Sequence, residues 1–430
     1  MILLNYLYFL IITFIGYKWL TSLGGVMTNP LNKQEQMWLD GPEKFWILTF
    51  STSLLAISAP IGLDLMAIRL LVLEIFCLIG LLYVCKRKPR WTVALVVYVM
   101  FIFWLIIGMT YSSSYVYGFR VILKYSYPLL IVLFASAVVR DTEVFMKASL
   151  GARIVALIAL IIAFIPMLER TLFPGVFWYG TARAINFISI CIFSLALFYY
   201  TDEKKKSLFY SVLFILPCFI WVFRTSIMGS LVAIMAFYFI KYRMRSLPII
   251  AVVLIAGVIA VFFIPSLNHK MFKDSSIDIE QFKSGRVSMD DVNTNARLAM
   301  WEHLEKKFYQ DHEIIGSGTG SVQNYMYNNY IFGGLKVPHS DFVQMRCDNG
   351  LISLILYVII VLFVFYDCFR THYTTNNTGV KICSIVAGSS MMGVFVTLYS
   401  DNVVNYSMAT LSMPFGFYGM MLGLKQNEIK

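Results

Sequence analysis

Four of the five histidines in this 430-residue chain occur in one polar stretch, residues 265–349. Those histidines are His269, His303, His312 and His339. An imidazole can take or give a proton near neutral pH, and the arginines of the same stretch can hold phosphate oxygens. The neighbouring segments, 247–264 and 350–367, are almost uncharged and long enough to cross a bilayer. This arrangement predicts an active site at a membrane surface rather than a simple anchor.

The segment from Pro338 to Gly350 places one of these histidines at a predicted helix start. Proline is favoured in the first turn of a helix, so we expect a helix that begins here and continues into the following span. His339 and Arg346 have the spacing i, i+7 and would share one helix face. The helix dipole at this end disfavours a charged imidazole, which favours a neutral His339 that can act as a base.

The rest of the polar stretch contains an amphipathic pattern followed by a glycine run. Apolar residues at helical spacing predict a helix whose N-cap lies within 293–295; they are Leu298, Trp301, Leu304 and Phe308. The run Gly316-Ser-Gly-Thr-Gly320 lacks the Lys-Ser/Thr of a P-loop, so a flexible turn is the better interpretation. His269, His303 and His312 are expected to be solvated surface residues, and Arg346 a salt-bridged one.

The elements that must position these residues are membrane helices. The chain is 59% hydrophobic and 14% charged, against roughly 45–50% and 25% in soluble domains. Segments of about 20 apolar residues can cross a bilayer, and in lipid they must be helical. Candidate spans are 2–20, 45–61, 65–84, 91–110, 120–139, 148–168, 185–200, 207–223, 227–240, 247–264, 350–367, 382–400 and 407–424. The prediction is an all-α polytopic membrane protein with about 12–13 transmembrane helices, a single membrane domain over 1–430.

The net charge of +11 reflects membrane topology. Basic clusters occur at 86–90, 204–206 and 241–245, each in a short loop between predicted spans, and short positive loops stay cytoplasmic. Residues 265–349 then form one large extracytoplasmic loop. A nucleic-acid partner is not expected, because no soluble module gathers this charge. Segment 1–20 is predicted to be a retained anchor rather than a signal peptide.

Several short motifs resemble, in order and spacing, those of the O-antigen polymerase and O-antigen ligase family, bacterial glycosyltransferases of the GT-C class. They are Asn295-Ala-Arg297-Leu-Ala-Met-Trp301, Gly316-Ser-Gly318-Thr-Gly320, His339-Ser-Asp-Phe-Val-Gln344 and Asp348-Asn-Gly350-Leu. The corner Phe223-Arg224-Thr225-Ser226 has its serine after the arginine, where the family has it before. Ser340 replaces an asparagine that is common in the family. The resemblance covers roughly residues 180–370.

The resemblance implies transfer of an undecaprenyl diphosphate-linked glycan to a sugar hydroxyl, without a cofactor or a metal. Arg224 and Arg297 would hold the leaving diphosphate. His339 would act as the base or, alternatively, donate a hydrogen bond to phosphate. Second-rank diphosphate ligands are Arg183, Arg120 and Lys124, for which snorkelling to lipid head groups is the competing interpretation.

Several hypotheses for the function remain open at this point, and a purely structural partner of a synthase complex is the least favoured of them. A polymerase would join lipid-linked repeat units into a surface polysaccharide, O-antigen or capsule, with lipid-linked donor and acceptor and a chain-length regulator protein as partners. A ligase would transfer the finished glycan to a terminal acceptor. A transporter or flippase of lipid-linked oligosaccharides is the alternative from another class, but transporters place polar groups near the midplane on broken helices. The polymerase is preferred, in the bacterial inner membrane with its loop on the periplasmic or extracellular side.

Overall fold

The structure, a computed structural model, describes residues 41–54, 57–58, 65–84, 88–164, 177–178, 180–220, 223–272, 297–329 and 335–428. The described chain is helical almost throughout. The first predicted span, 2–20, and the predicted N-cap at 293–295 lie outside the described residues. One antiparallel pair of two-residue strands, β1 (Ile57–Ser58) and β2 (Phe177–Trp178), is present as well.

The helices follow the apolar segments of the sequence closely. They are α1 (Gly41–Ser53), α2 (Leu65–Ile79), α3 (Val93–Met109), α4 (Tyr115–Val138), α5 (Thr142–Phe164), α6 (Gly180–Tyr200), α7 (Lys204–Ile220), α8 (Arg224–Tyr242), α9 (Leu247–Phe263), α10 (Pro265–Met271), α11 (Arg297–Phe308), α12 (Ser321–Asn328), α13 (Asp341–Thr374), α14 (Thr378–Thr397), α15 (Ser407–Thr410) and α16 (Ser412–Glu428). Short 3₁₀ helices occur at Arg243–Ser246 and Val404–Tyr406, and a five-residue π-helix at Gly80–Val84 follows α2.

Polar side chains mark several of the helix starts. Thr92 accepts a hydrogen bond from the Leu95 amide at 3.4 Å, at the start of α3. Asn377 accepts one from the Val380 amide at 3.2 Å, at the start of α14. Each cap satisfies one of the backbone donors that a helix start leaves without an intrahelical partner.

The core of the bundle lies between α4, α6, α8, α13, α14 and α16. Gly229 of α8 and Gly393 of α14 face each other, and a Cβ at either position would approach the opposite carbonyl to within 2.9 Å. Small residues of this kind allow the close helix packing that is typical of membrane bundles. Other faces are apolar and exposed, as at Val252 and Ile255 of α9, which are 65% and 59% exposed. Such faces suit contact with lipid.

These observations confirm the all-α polytopic membrane class. Five helical stretches among the described residues are long and apolar enough to cross a membrane: 115–138, 142–161, 224–263, 341–374 and 378–397. α3 and the Ala184–Tyr200 part of α6 are shorter apolar helices. Helices such as α2, with 15 residues, and α7, with 17, coincide with predicted spans but are not among these five stretches, so the count of 12–13 spans stays a prediction.

The described part of the large loop has a small core of its own. Met300 and Leu304 of α11 pack with Val322 and Met326 of α12 and with Val343 of α13. Trp301 and Phe308 pack against this cluster. The predicted amphipathic helix is therefore confirmed, although α11 begins at Arg297 in the described chain. The loop core seats α11 and α12 against the first turns of α13.

Candidate active site

Two arginines that lie far apart in the sequence meet beside Ser400. Arg224 is the first residue of α8 and Arg297 is the first residue of α11. Arg297 donates through Nη1 to the Ser400 carbonyl at 2.5 Å. The hydroxyls of Thr225 and Ser400 are 3.4 Å apart, so the α8 corner lies at the same residue. The two guanidinium groups are close enough for the charge of Arg297 to act on Arg224.

His339 lies next to Asp401, the residue that follows Ser400. Its Nδ1 is 3.4 Å from an Asp401 carboxylate oxygen. The two side chains are 29% and 15% exposed, so the pair is partly open to solvent. The Asp401 oxygen also accepts the Asn402 amide at 2.8 Å. The three residues predicted to be catalytic are thus gathered around residues 400–401.

The helix start at this site differs from the prediction. α13 begins at Asp341, and Ser340 is its N-cap, accepting from the Val343 amide at 3.3 Å. His339 precedes the cap with a φ of 51°, in the left-handed region that histidine visits more often than most residues. The Pro338 carbonyl accepts the Trp301 indole N–H at 2.6 Å, which holds this turn outside the helix. The prediction that Pro338 and His339 open the helix was therefore wrong.

As a consequence, His339 and Arg346 do not share a helix face. Arg346 forms an ion pair with Glu305 of α11, which confirms that it is salt-bridged. α13 does continue past Asp348 into the following span, as predicted, but it is kinked at Gly350, whose φ is 69° and ψ −171°. The imidazole is therefore positioned by a turn and a carboxylate, and not by a helical register.

The glycine run is a packed junction, and its interpretation as a flexible turn was wrong. The amides of Ser317 and Gly318 donate to the Cys347 and Asp348 carbonyls at 2.9 and 2.8 Å. The Thr319 amide donates to Gly108 of α3 at 3.1 Å. Gly318 has a φ of 99°, and a Cβ there would lie 2.5 Å from the Ser112 Cα. Because these amides bind protein carbonyls, they are not offered to a phosphate as P-loop amides are.

The second-rank cations are distributed unevenly around the site. Lys124 of α4 donates to the Asn405 side chain at 2.6 Å, in the same connection that carries Asp401. Arg120 lies over the Tyr117 ring at 5.1 Å. Arg183 is in the first turn of α6, and its side chain lies outside the described residues. Of the three, Lys124 is the one whose described contact reaches the segment after Ser400.

Two buried carboxylates hold α13 in place, and neither was predicted from the sequence to have this role. Asp341 is 2% exposed and accepts the Val404 amide at 3.0 Å. Asp348 is fully buried and accepts the Val322 amide at 2.9 Å, in the first turn of α12. Buried carboxylates are costly unless they accept hydrogen bonds. Their contacts indicate that they hold the site's framework and do not face the reacting groups.

Asp401 and Ser400 are the site residues that sequence reasoning missed. A signal was present, since Ser400 ends the predicted span 382–400 and Asp401-Asn402 follows it on the same predicted side as His339. Only the fold shows that this short connection lies between α8, α11 and the turn before α13. Within the described ranges, no three His, Cys, Asp or Glu side chains are grouped so that they could hold a metal ion.

The arrangement combines two cations with an imidazole–carboxylate pair. A guanidinium presents a planar fork of donors that matches phosphate oxygens. The N-terminus of α8, where Arg224 lies, adds a partial positive charge from the helix dipole. Because Nδ1 of His339 faces Asp401, Nε2 is the nitrogen that can take a proton from another group. Such a site can hold an anion and deprotonate a hydroxyl beside it.

Fold and site together define a polytopic helical membrane protein. Its cationic site lies at the ends of the helices and includes a histidine–carboxylate pair. Residues 209–358 match the family model described as O-antigen ligase. The resemblance to the O-antigen polymerase and ligase family is thereby confirmed over this stretch, which contains Arg224, Arg297 and His339. Asp401 lies beyond it. A comparison with curated proteins finds no match. The family supports a function of the ligase or polymerase type.

Proposed function

We propose that this protein is a polysaccharide polymerase that joins undecaprenyl diphosphate-linked repeat units by transferring the growing glycan to a new unit. The observation that carries the proposal is the convergence of Arg224, Arg297 and the His339–Asp401 pair on residues 400–401. The family match supports glycan transfer of this general type. The donor lipid, the acceptor and the order of transfer are parts of the proposal.

In the proposed reaction, an acceptor sugar hydroxyl attacks the anomeric carbon of the donor glycan. The new glycosidic C–O bond forms as the bond between that carbon and the lipid diphosphate breaks. Nε2 of His339 takes the hydroxyl proton, and Asp401 accepts the hydrogen bond from Nδ1–H, which stabilises the imidazolium. The negative charge that develops on the departing diphosphate is held by Arg224 and Arg297. Each charge-assisted hydrogen bond is worth about 1.5–3 kcal/mol.

The site's position at helix ends favours an enzyme over a transporter. Arg224 and Arg297 open helices, His339 precedes one, and Asp401 follows α14. A transporter would instead place its polar groups near the membrane midplane on broken helices. Arg224 and the basic residue Lys241 lie at opposite ends of α8. With positive loops inside, this supports an inner-membrane protein whose site faces the periplasm or the cell exterior.

A ligase remains the second candidate, because both reactions need the same diphosphate site and the same base. The acceptor separates them. A polymerase accepts a second lipid-linked repeat unit and yields a ladder of products, whereas a ligase yields a single transfer to a terminal acceptor. The chain-length regulator protein stays a predicted partner of the polymerase.

The test uses the purified full-length chain with a lipid diphosphate-linked repeat unit as the substrate. A ladder of lengthened glycans, resolved by gel electrophoresis or mass spectrometry, is the expected product. Arg297→Ala should slow formation of the ladder by about 10- to 150-fold, and His312→Ala, at an exposed loop histidine, serves as the matched control. Transfer only to an added terminal acceptor would identify a ligase. Translocation of the lipid across vesicles without any transfer would overturn the enzyme proposal.

A further inference from the structure

The end of α8 that lies opposite Arg224 carries a cation surrounded by tyrosines. Lys241 Nζ lies 4.4 Å from the Tyr199 ring centroid, 4.5 Å from that of Tyr200 and 5.2 Å from that of Tyr242. At 1.5 Å per residue, the helix separates Lys241 from Arg224 by about 26 Å. This group is therefore distinct from the candidate active site.

Two further lysines lie close to Lys241. The ammonium of Lys204, at the start of α7, donates to the Phe198 carbonyl at 2.6 Å, next to Tyr199 in the chain. The backbone carbonyl of Lys381, in the first turns of α14, lies 3.4 Å from Nδ1 of His372. Both lysine charges are close enough to act on Lys241. Within the described residues, none of these three lysines forms an ion pair with a carboxylate. Lys206, two residues after Lys204 in α7, is different, because it pairs with Glu203 at 3.6 Å. Three mutually repelling ammonium groups attract an anion.

A hydrogen-bonded set of side chains holds the centre of this cluster in place. The Tyr200 hydroxyl lies 3.0 Å from Nε2 of His372 and accepts from Lys241 Nζ at 3.5 Å. The other ring nitrogen of His372 is 3.2 Å from the Ser384 hydroxyl. His372 is buried. The cation is thus attached to α6, α13 and α14 and is not a freely moving surface lysine.

The surroundings of the cluster suit a lipid. Exposed apolar side chains lie on the neighbouring turns, including Phe209 of α7 at 62%, Met244 at 67% and Leu247 of α9 at 50%. Tyr242 is 38% exposed. Tyrosine and lysine beside apolar surface are typical of the level of the lipid head groups. A lysine ammonium binds phosphate as a point charge with three donors.

We propose that Lys204, Lys241 and Lys381 form a binding site for the phosphate of an anionic lipid head group. Phosphate is the shared chemistry of a lipid head group and of the free ion. The exposed apolar side chains beside the cations favour the lipid. The site does not depend on the polymerase proposal, because it lies at the other end of the bundle.

The experiment measures binding of fluorescent phosphatidylglycerol to the full-length chain in a neutral detergent, with fluorescent phosphatidylcholine as the comparison lipid. The double variant Lys241→Gln, Lys381→Gln should bind phosphatidylglycerol about 25-fold more weakly, at roughly fivefold per lysine. The matched control, Lys205→Gln with Lys206→Gln, removes the same charge at the same end and should change binding less than about threefold. Lys241→Arg keeps the charge and should retain binding, which separates loss of the site from misfolding.

Each other outcome overturns the proposal. Equal losses in the double variant and the control would mean a diffuse surface field and not a built site. Equal affinity for phosphatidylcholine would exclude recognition of the anionic group. Competition by inorganic phosphate as strong, mole for mole, as that of unlabelled phosphatidylglycerol would identify a site for the free ion. Failure of Lys241→Arg to bind in a folded, monodisperse preparation would show that the charge is not what the site uses.

Discussion

Replacing Asp401 by asparagine isolates the charge that faces His339. Asparagine keeps a side-chain oxygen that can accept the hydrogen bond from the Asn402 amide, as the Asp401 carboxylate does at 2.8 Å. The backbone turn should therefore survive the change, while the carboxylate that supports an imidazolium is lost. Asp311→Asn, at an exposed loop carboxylate, makes the same change of charge away from the site.

The size of the effect follows from the geometry of the pair. A hydrogen bond to a charged group is worth about 1.5–3 kcal/mol, or roughly 10- to 150-fold in rate. The distance of 3.4 Å is long, and the side chains are 29% and 15% exposed, so solvent screens the pair. We therefore expect Asp401→Asn to slow glycan lengthening by about tenfold, at the lower end of the range. His339→Ala should cost about 10²–10⁴-fold, as for a lost general base.

The assay is a double-mutant cycle on initial rates of lengthening at saturating donor. If Asp401 acts through His339, Asp401→Asn should change the rate less than about twofold once His339 is alanine. A tenfold loss from Asp401→Asn in both backgrounds would refute the pairing. Weaker donor binding by His339→Ala, with an unchanged rate at saturating donor, would make His339 a phosphate ligand.

Three further predictions concern the arginines, the glycine junction and the topology. Arg224→Ala and Arg297→Ala should each lower turnover by about 10- to 150-fold per lost hydrogen bond. Lysine at either position should restore turnover only in part, because it lacks the planar fork of the guanidinium group. Wild-type rates in both alanine variants would exclude the diphosphate role. Gly318→Ala should lower the free energy of unfolding by about 2–6 kcal/mol in thermal unfolding, because of the positive φ and of overpacking. Gly257→Ala, whose Cβ would meet only the Leu231 side chain at 3.2 Å, should change the free energy of unfolding by less than about 1 kcal/mol. Equal stability of the two variants would refute the packed junction. Lys283→Cys should react with a membrane-impermeant thiol reagent in intact spheroplasts, because residues 265–349 are predicted to be extracytoplasmic. The six cysteines of the described chain are buried, so they should contribute little to the signal. Reaction only after lysis would reverse the proposed orientation.

The membrane fold could be predicted from the sequence because lipid imposes one simple requirement. Every backbone group must be satisfied within its own segment, so apolar segments such as 120–139 and 227–240 could only be helices. Helix ends are set by local competition and were harder to predict. At the start of α13, Pro338 suggested the first turn, but Ser340 supplies the capping oxygen. Proline fixes its own φ without deciding which following residue caps the helix.

The site was predictable in part for a related reason. Arg224 and Arg297 were identified by their likeness to a family pattern, and their meeting depends on a third residue, Ser400, that the pattern did not include. Asp401 sits in a short connection whose neighbours are decided by how α8, α11 and α14 pack. The glycine run was misjudged because periodicity and composition do not reveal backbone-to-backbone contacts such as that of Gly318 with Ser112.

The geometry of the site is set by a clamp between α13 and the connection after α14. The Asp341 amide donates to the Leu398 carbonyl at 2.9 Å, and the Asp341 carboxylate accepts the Val404 amide at 3.0 Å. These two bonds lie on either side of residues 400–401, so the connection cannot shift without breaking a buried hydrogen bond. His339 is two residues before Asp341, and its distance to Asp401 is therefore fixed by the same clamp. The same two hydrogen bonds of Asp341 thus fix His339, its partner Asp401 and the Ser400 carbonyl that orients Arg297. This is the preorganisation that charge stabilisation at a leaving group requires.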